Sequence, residues 1–118
     1  MQVDGYVLGV PEDKKEDYQR IAQLFIDVAK DYGALEIFEN WELDVPDGEH
    51  TDYRKAIKAA PGEKVVFSWV VWPDRETSAK AHKAMMEDPR MAEMGEMPID
   101  GKRMIIGSFE PIVHFRKE

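Results

Sequence analysis

Carboxylates, phenols, hydroxyls and imidazoles are the reactive groups of this 118-residue chain. It has no cysteine, which excludes disulfides, thiolate metal sites and cysteine nucleophiles. Period-two alternation gathers several of these groups on strand faces. Asp4, Tyr6 and Leu8 share one face of a strand at 3–10, and Met104, Ile106, Ser108 and Glu110 share one face of a final strand. A strand at 63–72 offers either Ser68 with Val70 or Phe67 with Trp69, and one at 34–45 offers either Glu39 with Trp41 or Phe38 with Asn40. On the sheet face that would line a barrel with a second copy of the chain, either choice mixes aromatics with a few convergent polar groups, the usual make-up of a small-molecule pocket. A carboxylate there, Glu39 or Glu110, is a candidate proton donor or acceptor, because burial disfavours its charged form. The candidate ligand-binding set is Tyr6, Glu39, Trp41, Ser68, Trp69, Arg103 and Glu110, with no residue assigned to catalysis. The competing expectation is that these carboxylates pair with Arg54, Lys102 or Arg103 at a dimer rim, since structural ion pairs perturb acids too.

The remaining reactive residues are less promising. His50 lies in Asp47-Gly-Glu-His-Thr-Asp52, which lacks the full calcium-loop pattern and reads as a solvated turn. His82 sits beside Ala81, Met85 and Met86 as a half-buried helix residue, and His114 is close to the end of the last strand. With no His-x-x-x-His pair, no metal site is expected. Ser68 lacks the Gly-x-Ser-x-Gly elbow that projects a nucleophile. The scattered glycines form neither a P-loop nor a dinucleotide fingerprint, so no cofactor is expected.

The elements that must position these groups follow from periodicity and punctuation. Residues 3–10 form a strand closed by Pro11, and Asp13 with Glu16 makes a capping pair. Tyr18, Ile21, Ala22, Phe25, Val28, Ala29 and Tyr32 then recur at helical spacing, with Gly33 in the C′ position. After the strand at 34–45, residues 52–59 suit a helical turn or a short strand; the Pro61-Gly62 turn signal favours strand. Asp74 is the expected N-cap of a second helix running to about residue 87. Asp88-Pro89 opens a short helix that Gly95 ends. A methionine-rich loop, either a lid over a pocket or a seal on the core, leads through Lys102-Arg103 into a strand at about 103–115. Pro111 makes that strand an edge.

The order β-α-β-β-α-β predicts a single α+β domain, a ferredoxin-like sandwich with both helices on one face of an antiparallel sheet. In strand 63–72 both faces are apolar, Phe67, Trp69 and Val71 on one and Val66, Val70 and Trp72 on the other. Two helices cover one face only, so the other predicts a second copy of the chain. The charge balance, 16 basic against 24 acidic residues for a net −8, disfavours nucleic acid and anionic membranes as partners. Met1 leads almost directly into a strand pattern, with no secretory or membrane-spanning run, and the expectation is a cytoplasmic protein.

The segment Asp88-Pro-Arg-Met91 through Asp100-Gly-Lys-Arg-Met104, with the opening Val3-Asp-Gly-Tyr-Val7 and with Ser68-Trp69, resembles the YbaA-like family of small bacterial proteins. The resemblance covers nearly the whole chain and implies a dimeric α/β barrel, residues 1–118 forming one such domain. It brings no assigned activity. Barrels of that kind include monooxygenases, haem-degrading enzymes and isomerases, so the resemblance implies a small-molecule pocket in a homodimer, with a cofactor-independent enzyme as its catalytic form. The other expectation is a non-catalytic homodimeric binding or regulatory module with a filled barrel.

Overall fold

The computed structural model describes residues 1–118. Its elements are β1 (Gln2–Pro11), α1 (Lys15–Asp31), β2 (Glu36–Trp41), α2 (Tyr53–Ala56), β3 (Glu63–Trp72), α3 (Arg75–Glu87) and β4 (Ile105–Phe109), with 3-10 turns at Glu12–Lys14, Pro89–Met94 and Gly101–Arg103. The strands form one sheet in the order β2-β3-β1-β4, every neighbouring pair antiparallel. This is the α+β ferredoxin-like fold expected from the element order.

The register shows which residues share a face. Asp4 is opposite Val70 and Ser108, Tyr6 is opposite Ser68 and Ile106, and Ser68 is opposite Glu39. That face carries the core. Val28 and Ala29 of α1 and Ala81 and Met85 of α3 pack on Val70 and Trp72, while Tyr18 and Ala22 of α1 pack on Leu8, Val10 and Val66. Tyr6 touches both clusters. The opposite face presents Val3, Phe38, Phe67, Trp69, Ile105 and Phe109. Here Phe38 stacks on Trp69 at 4.8 Å, and Phe67 meets Trp69 edge-on at 5.6 Å. Phe109 lies over the facing pair Gly5 and Gly107, where a Cβ on Gly107 would stand 3.1 Å from its ring. The chain after β4 crosses one end of this face, and Arg116 reaches Glu36 at 3.4 Å. The middle of the face is uncovered, with Phe38 and Phe67 exposed.

Two helix starts follow the sequence signals. Asp74 accepts a hydrogen bond from the Thr77 backbone N–H at 2.6 Å, and Asp88 accepts from the Arg90 N–H at 2.9 Å. Asp74→Ala should lower the stability by about 1 kcal/mol, read as a fall in the urea midpoint; an unchanged midpoint would show that α3 does not depend on its cap. Gly33 has the φ of +110° that a residue just past a helix end favours.

Three local expectations are corrected. Residues 52–59 are not a strand: Asp52 accepts from the Lys55 N–H at 2.7 Å and caps the single turn of α2. The Asp13–Glu16 capping pair does not form, because a 3-10 turn over Glu12–Lys14 places Asp13 inside the turn, and α1 starts at Lys15 without a side-chain cap. The last strand is Ile105–Phe109, not 103–115. A 3-10 turn occupies Gly101–Arg103, and Phe109 already pairs with Val3, so β1 offers almost no partners beyond it. Pro111 therefore lies outside the strand, although β4 is the edge that was expected.

Candidate functional site

Between α1 and the sheet lies an apolar cavity of about 240 Å³, with Tyr6, Tyr18, Phe25, Glu39 and Ser68 in its wall. Met91, Met94, Met97 and Met104 supply the remaining side. The methionine segment is tied down along its length. At its start Asp88 accepts from the Tyr32 hydroxyl at 2.7 Å, and Arg90 bridges Asp88 and Asp31. Arg20 donates to the Met94 carbonyl at 3.4 Å. At its end Arg103 donates to both oxygens of Glu63 at 2.8 Å and to Asp100 at 3.0 Å. These charge-assisted bonds hold Asp88, Glu63 and Asp100 below the ordinary carboxylate range, the arginine side chains being the largest cause in each case. The flexible thioethers are thus presented on a segment anchored at both ends, which gives the cavity an adaptable wall.

The polar groups of the cavity are few and close together. The Tyr18 hydroxyl donates to Glu39 Oε2 at 2.7 Å. Burial pushes the Glu39 carboxyl up, and the hydrogen bonds from Tyr18 and Ser68 only partly oppose it. Tyr6 is pushed up to about 12, first by burial and then by the charges of Asp4 and Glu39. Tyr18 is raised further, by burial and by Glu39. Both phenols are therefore neutral donors at physiological pH. A carboxyl that is easily protonated, flanked by neutral phenols in apolar surroundings, can take up or release a proton next to a guest.

A second hollow, of about 290 Å³, lies on the outer side of the same wall and shares Tyr18, Ala22 and Glu39 with the first. Lys15, Gln19 and Trp41 border it, with the Lys15 ammonium 5.4 Å from the Trp41 ring centroid. The largest hollow, about 590 Å³, is elsewhere, between the uncovered sheet face and the C-terminal segment, with Phe67, Trp69, Phe109 and Arg116 around it. Its one carboxylate, Glu36, is engaged by Arg116 and by the Trp69 indole, and the hollow is continuous with the exposed apolar side chains of that face.

The structure brings together Tyr6, Glu39, Ser68 and, at the outer mouth, Trp41, but beneath α1 on the helix-covered face and not on the uncovered face, where a barrel with a second copy would have its lining. It places Trp69 on the opposite sheet face, since Trp69 pairs with Gly5 and Phe38. Arg103 stands at the end of the methionine strap, committed to Glu63 and Asp100, and Glu110 is exposed beyond β4. The competing ion-pair expectation fails for Glu39, whose hydrogen-bond partner is Tyr18; Arg54 and Arg103 instead engage Glu42 and Glu63. Tyr18 is a cavity residue that the sequence reading assigned to the core alone. Its position, on the α1 stripe that faces the sheet, was the available signal.

A buried cluster near α3 is structural in character. Asp4 accepts from Gln2 at 2.8 Å, from Ser108 at 2.8 Å and from the Trp72 indole at 3.0 Å, with His82 Nε2 3.5 Å away. His82 is half-exposed and packs edge-on to Trp72, while His50 and His114 are exposed. No group of three or more His, Asp or Glu side chains is placed to hold a metal ion. No helix is long and apolar enough to cross a membrane.

Residues 1–101 match a family described as "Protein of unknown function (DUF1428)". The chain is 53% identical over 112 residues to "Uncharacterized protein YbaA" of Escherichia coli K12, covering 94% of this chain and 96% of the relative. Among solved structures, an uncharacterized NIPSNAP domain protein from Burkholderia xenovorans matches with a TM-score of 0.58 at 12% identity, covering 99% of this chain and 100% of that one. A dimeric ferredoxin-like protein of unknown function from Jannaschia sp. CCS1 matches with a TM-score of 0.57 at 13% identity, over 94% of this chain and 100% of that one. These distant likenesses concern the fold.

Proposed function

This chain belongs to the DUF1428 family, and from that membership and the geometry of its cavity we propose that it is a single-domain homodimeric protein. It binds a small, largely apolar molecule between α1 and the sheet and moves a proton to or from it through Glu39. The observation that carries this reading is the Glu39 carboxyl, half-buried in a largely apolar wall and hydrogen-bonded by Tyr18. Tyr18 donates to Oε2 and Ser68 also bonds the carboxyl, so the acceptor capacity left for a guest is in its remaining lone pairs. When the carboxylate takes a proton from a carbon or oxygen acid, it becomes the neutral group that its surroundings favour. The Tyr6 phenol, on the same wall, is placed to donate a hydrogen bond to the anion left behind. No redox group or cofactor enters this step.

The homodimer is supported by the uncovered aromatic face and by the fold relatives described as dimeric. Pairing through that face places the dimer contact and the cavity on opposite sides of one sheet. Phe38, Phe67 and Trp69 would then fill the space between the two sheets, an arrangement that also serves a non-catalytic binding module.

Glu39→Gln tests the proton-moving role. The wild-type carboxyl has a raised folded pKa, so its contribution to stability is complete below the unfolded glutamate pKa and is lost as pH rises through the folded value. The variant, which cannot ionise, should gain stability relative to wild type as pH rises through that window. In the wild type, binding of the neutral fluorophore N-phenyl-1-naphthylamine should weaken over the same window, and in the variant it should not. Parallel pH profiles for the two proteins, in both stability and binding, would remove Glu39 from the proposal.

A further inference from the structure

We infer that the natural ligand is an apolar body carrying one anionic group, with the body among the methionines and the anion outside at Lys15; this rests on the cavity being a ligand site. The inference comes from the chemistry on the two sides of one wall. The hollows share Tyr18, Ala22 and Glu39, so a ligand that occupies both passes the Tyr18–Glu39 hydrogen bond. The two compartments differ in chemistry. The inner one presents carbon, sulfur, one hydroxyl, two phenols and one carboxyl, and no cation. A ligand's permanent negative charge has no partner there, and placing it inside would leave a desolvated charge beside Glu39.

The outer compartment is the reverse. Lys15 is its only cation, Gln19 and Asn40 are its neutral polar residues, and Glu39 is its only acid. Lys15 makes no salt bridge within 4.0 Å to any carboxylate of the chain, and its ammonium stands 5.4 Å from the Trp41 ring. Its charge is therefore available, and the ring narrows the directions in which the side chain points. Its neighbour in sequence is different: Lys14 pairs with Asp17 at 4.0 Å. In a chain of net charge −8, an unpaired lysine at the mouth of an apolar cavity provides local attraction where the global field repels anions. Gln19 adds an amide donor on the same side, one helical turn from Lys15. The ligand class is thus an aromatic or aliphatic acid with a carboxylate, sulfonate or similar head and a compact apolar body. Lys15 determines the preference for the acid over its neutral counterpart, and Glu39 is left to face the part of the ligand nearest the head.

A matched pair of ligands tests this, 2-naphthoate and 2-acetylnaphthalene, which share a ring system and differ in charge. Titration calorimetry on the intact protein should show the acid binding more tightly. Lys15→Met should weaken naphthoate about 3–10-fold and leave acetylnaphthalene unchanged, as expected for one solvent-facing charge pair. Lys15→Arg should restore naphthoate, and raising the salt should weaken naphthoate alone. Because Lys15 is exposed, neither variant should alter the fold. Acetylnaphthalene binding as well as or better than naphthoate, or Lys15→Met weakening both ligands equally or neither, would overturn the anion assignment while leaving the cavity reading intact. If neither ligand binds wild-type protein, both inferences fall together.

Discussion

Trp72→Ala is expected to be the most damaging single substitution in the chain. Trp72 is 0% exposed at the end of β3 and packs between Val28 and Ala29 of α1 and Ala81 and Met85 of α3. Truncating a buried tryptophan removes about 3–5 kcal/mol through lost burial and the cavity left behind. The indole also donates to Asp4 Oδ2 at 3.0 Å. Its loss leaves that oxygen of a 3%-exposed carboxylate with only His82 in reach, at a further cost of about 1–3 kcal/mol. Against a total stability of about 5–15 kcal/mol, the variant should be near the limit of folding, with a urea midpoint lower by roughly 2 M or more. Trp72→Phe separates the two contributions. It keeps most of the ring volume but not the donor, so it should show mainly the smaller cost. Circular dichroism follows both variants without relying on the tryptophan removed. A midpoint drop under about 0.5 M for Trp72→Ala would mean that α1 and α3 close over the gap.

Placing charge on the uncovered sheet face should dissociate the proposed dimer without unfolding the protomer. Phe67 is 40% exposed there and contacts Tyr53 and Trp69; Trp69 lies between Phe38 and Phe67. Buried aromatics at the centre of an interface each contribute about 2–4 kcal/mol, and an unpaired carboxylate there adds a desolvation cost. The double variant Phe67→Asp with Trp69→Asp should therefore raise the dimer dissociation constant by at least about 1,000-fold, giving monomer in sedimentation velocity at micromolar concentration. Its far-ultraviolet circular dichroism should remain that of the folded protein, since the core is on the other side of the sheet. The cavity should survive as well, so ligand binding and association should separate. A double variant that stays dimeric would place the contact elsewhere on the surface.

The sequence made the architecture legible because its strongest signals are local and repeated. The apolar stripe of α1, the cap at Asp74 and the two-sided strand at 63–72 each point to one element, and all three are present. The short turn at Tyr53–Ala56 was obscured because four residues carry too little periodicity, and only the Asp52 side chain distinguishes it from a strand. The length of β4 was illegible for a different reason. Where a strand stops depends on where its partner starts, and Val3 fixes the end at Phe109. The site was partly legible. Alternation allowed Glu39 to share a face with Tyr6 and Ser68, but register alone decided it, by pairing Tyr6 with Ser68 and Ser68 with Glu39. Trp69 could not be assigned to a face beforehand because both faces of its strand are apolar.

The strand order also has a consequence for synthesis. β1 leaves the ribosome first, yet in the sheet it lies between β3 and β4. Its first ladder runs from Gln2 opposite Trp72 to Pro11 opposite Glu63, and the Ser108 bond that closes its outer edge to Asp4 spans 104 residues. At about 5–20 residues per second, β3 is complete roughly 3–12 s after β1. Throughout that interval Leu8 and Val10, buried in the finished protein, belong to a strand with no ladder partner, and the two elements made next, α1 and β2, do not pair with it. Of the four strands, the earliest-made therefore waits longest for its first ladder partner, and α1, through Tyr18 and Ala22, is the first element able to cover Leu8 and Val10.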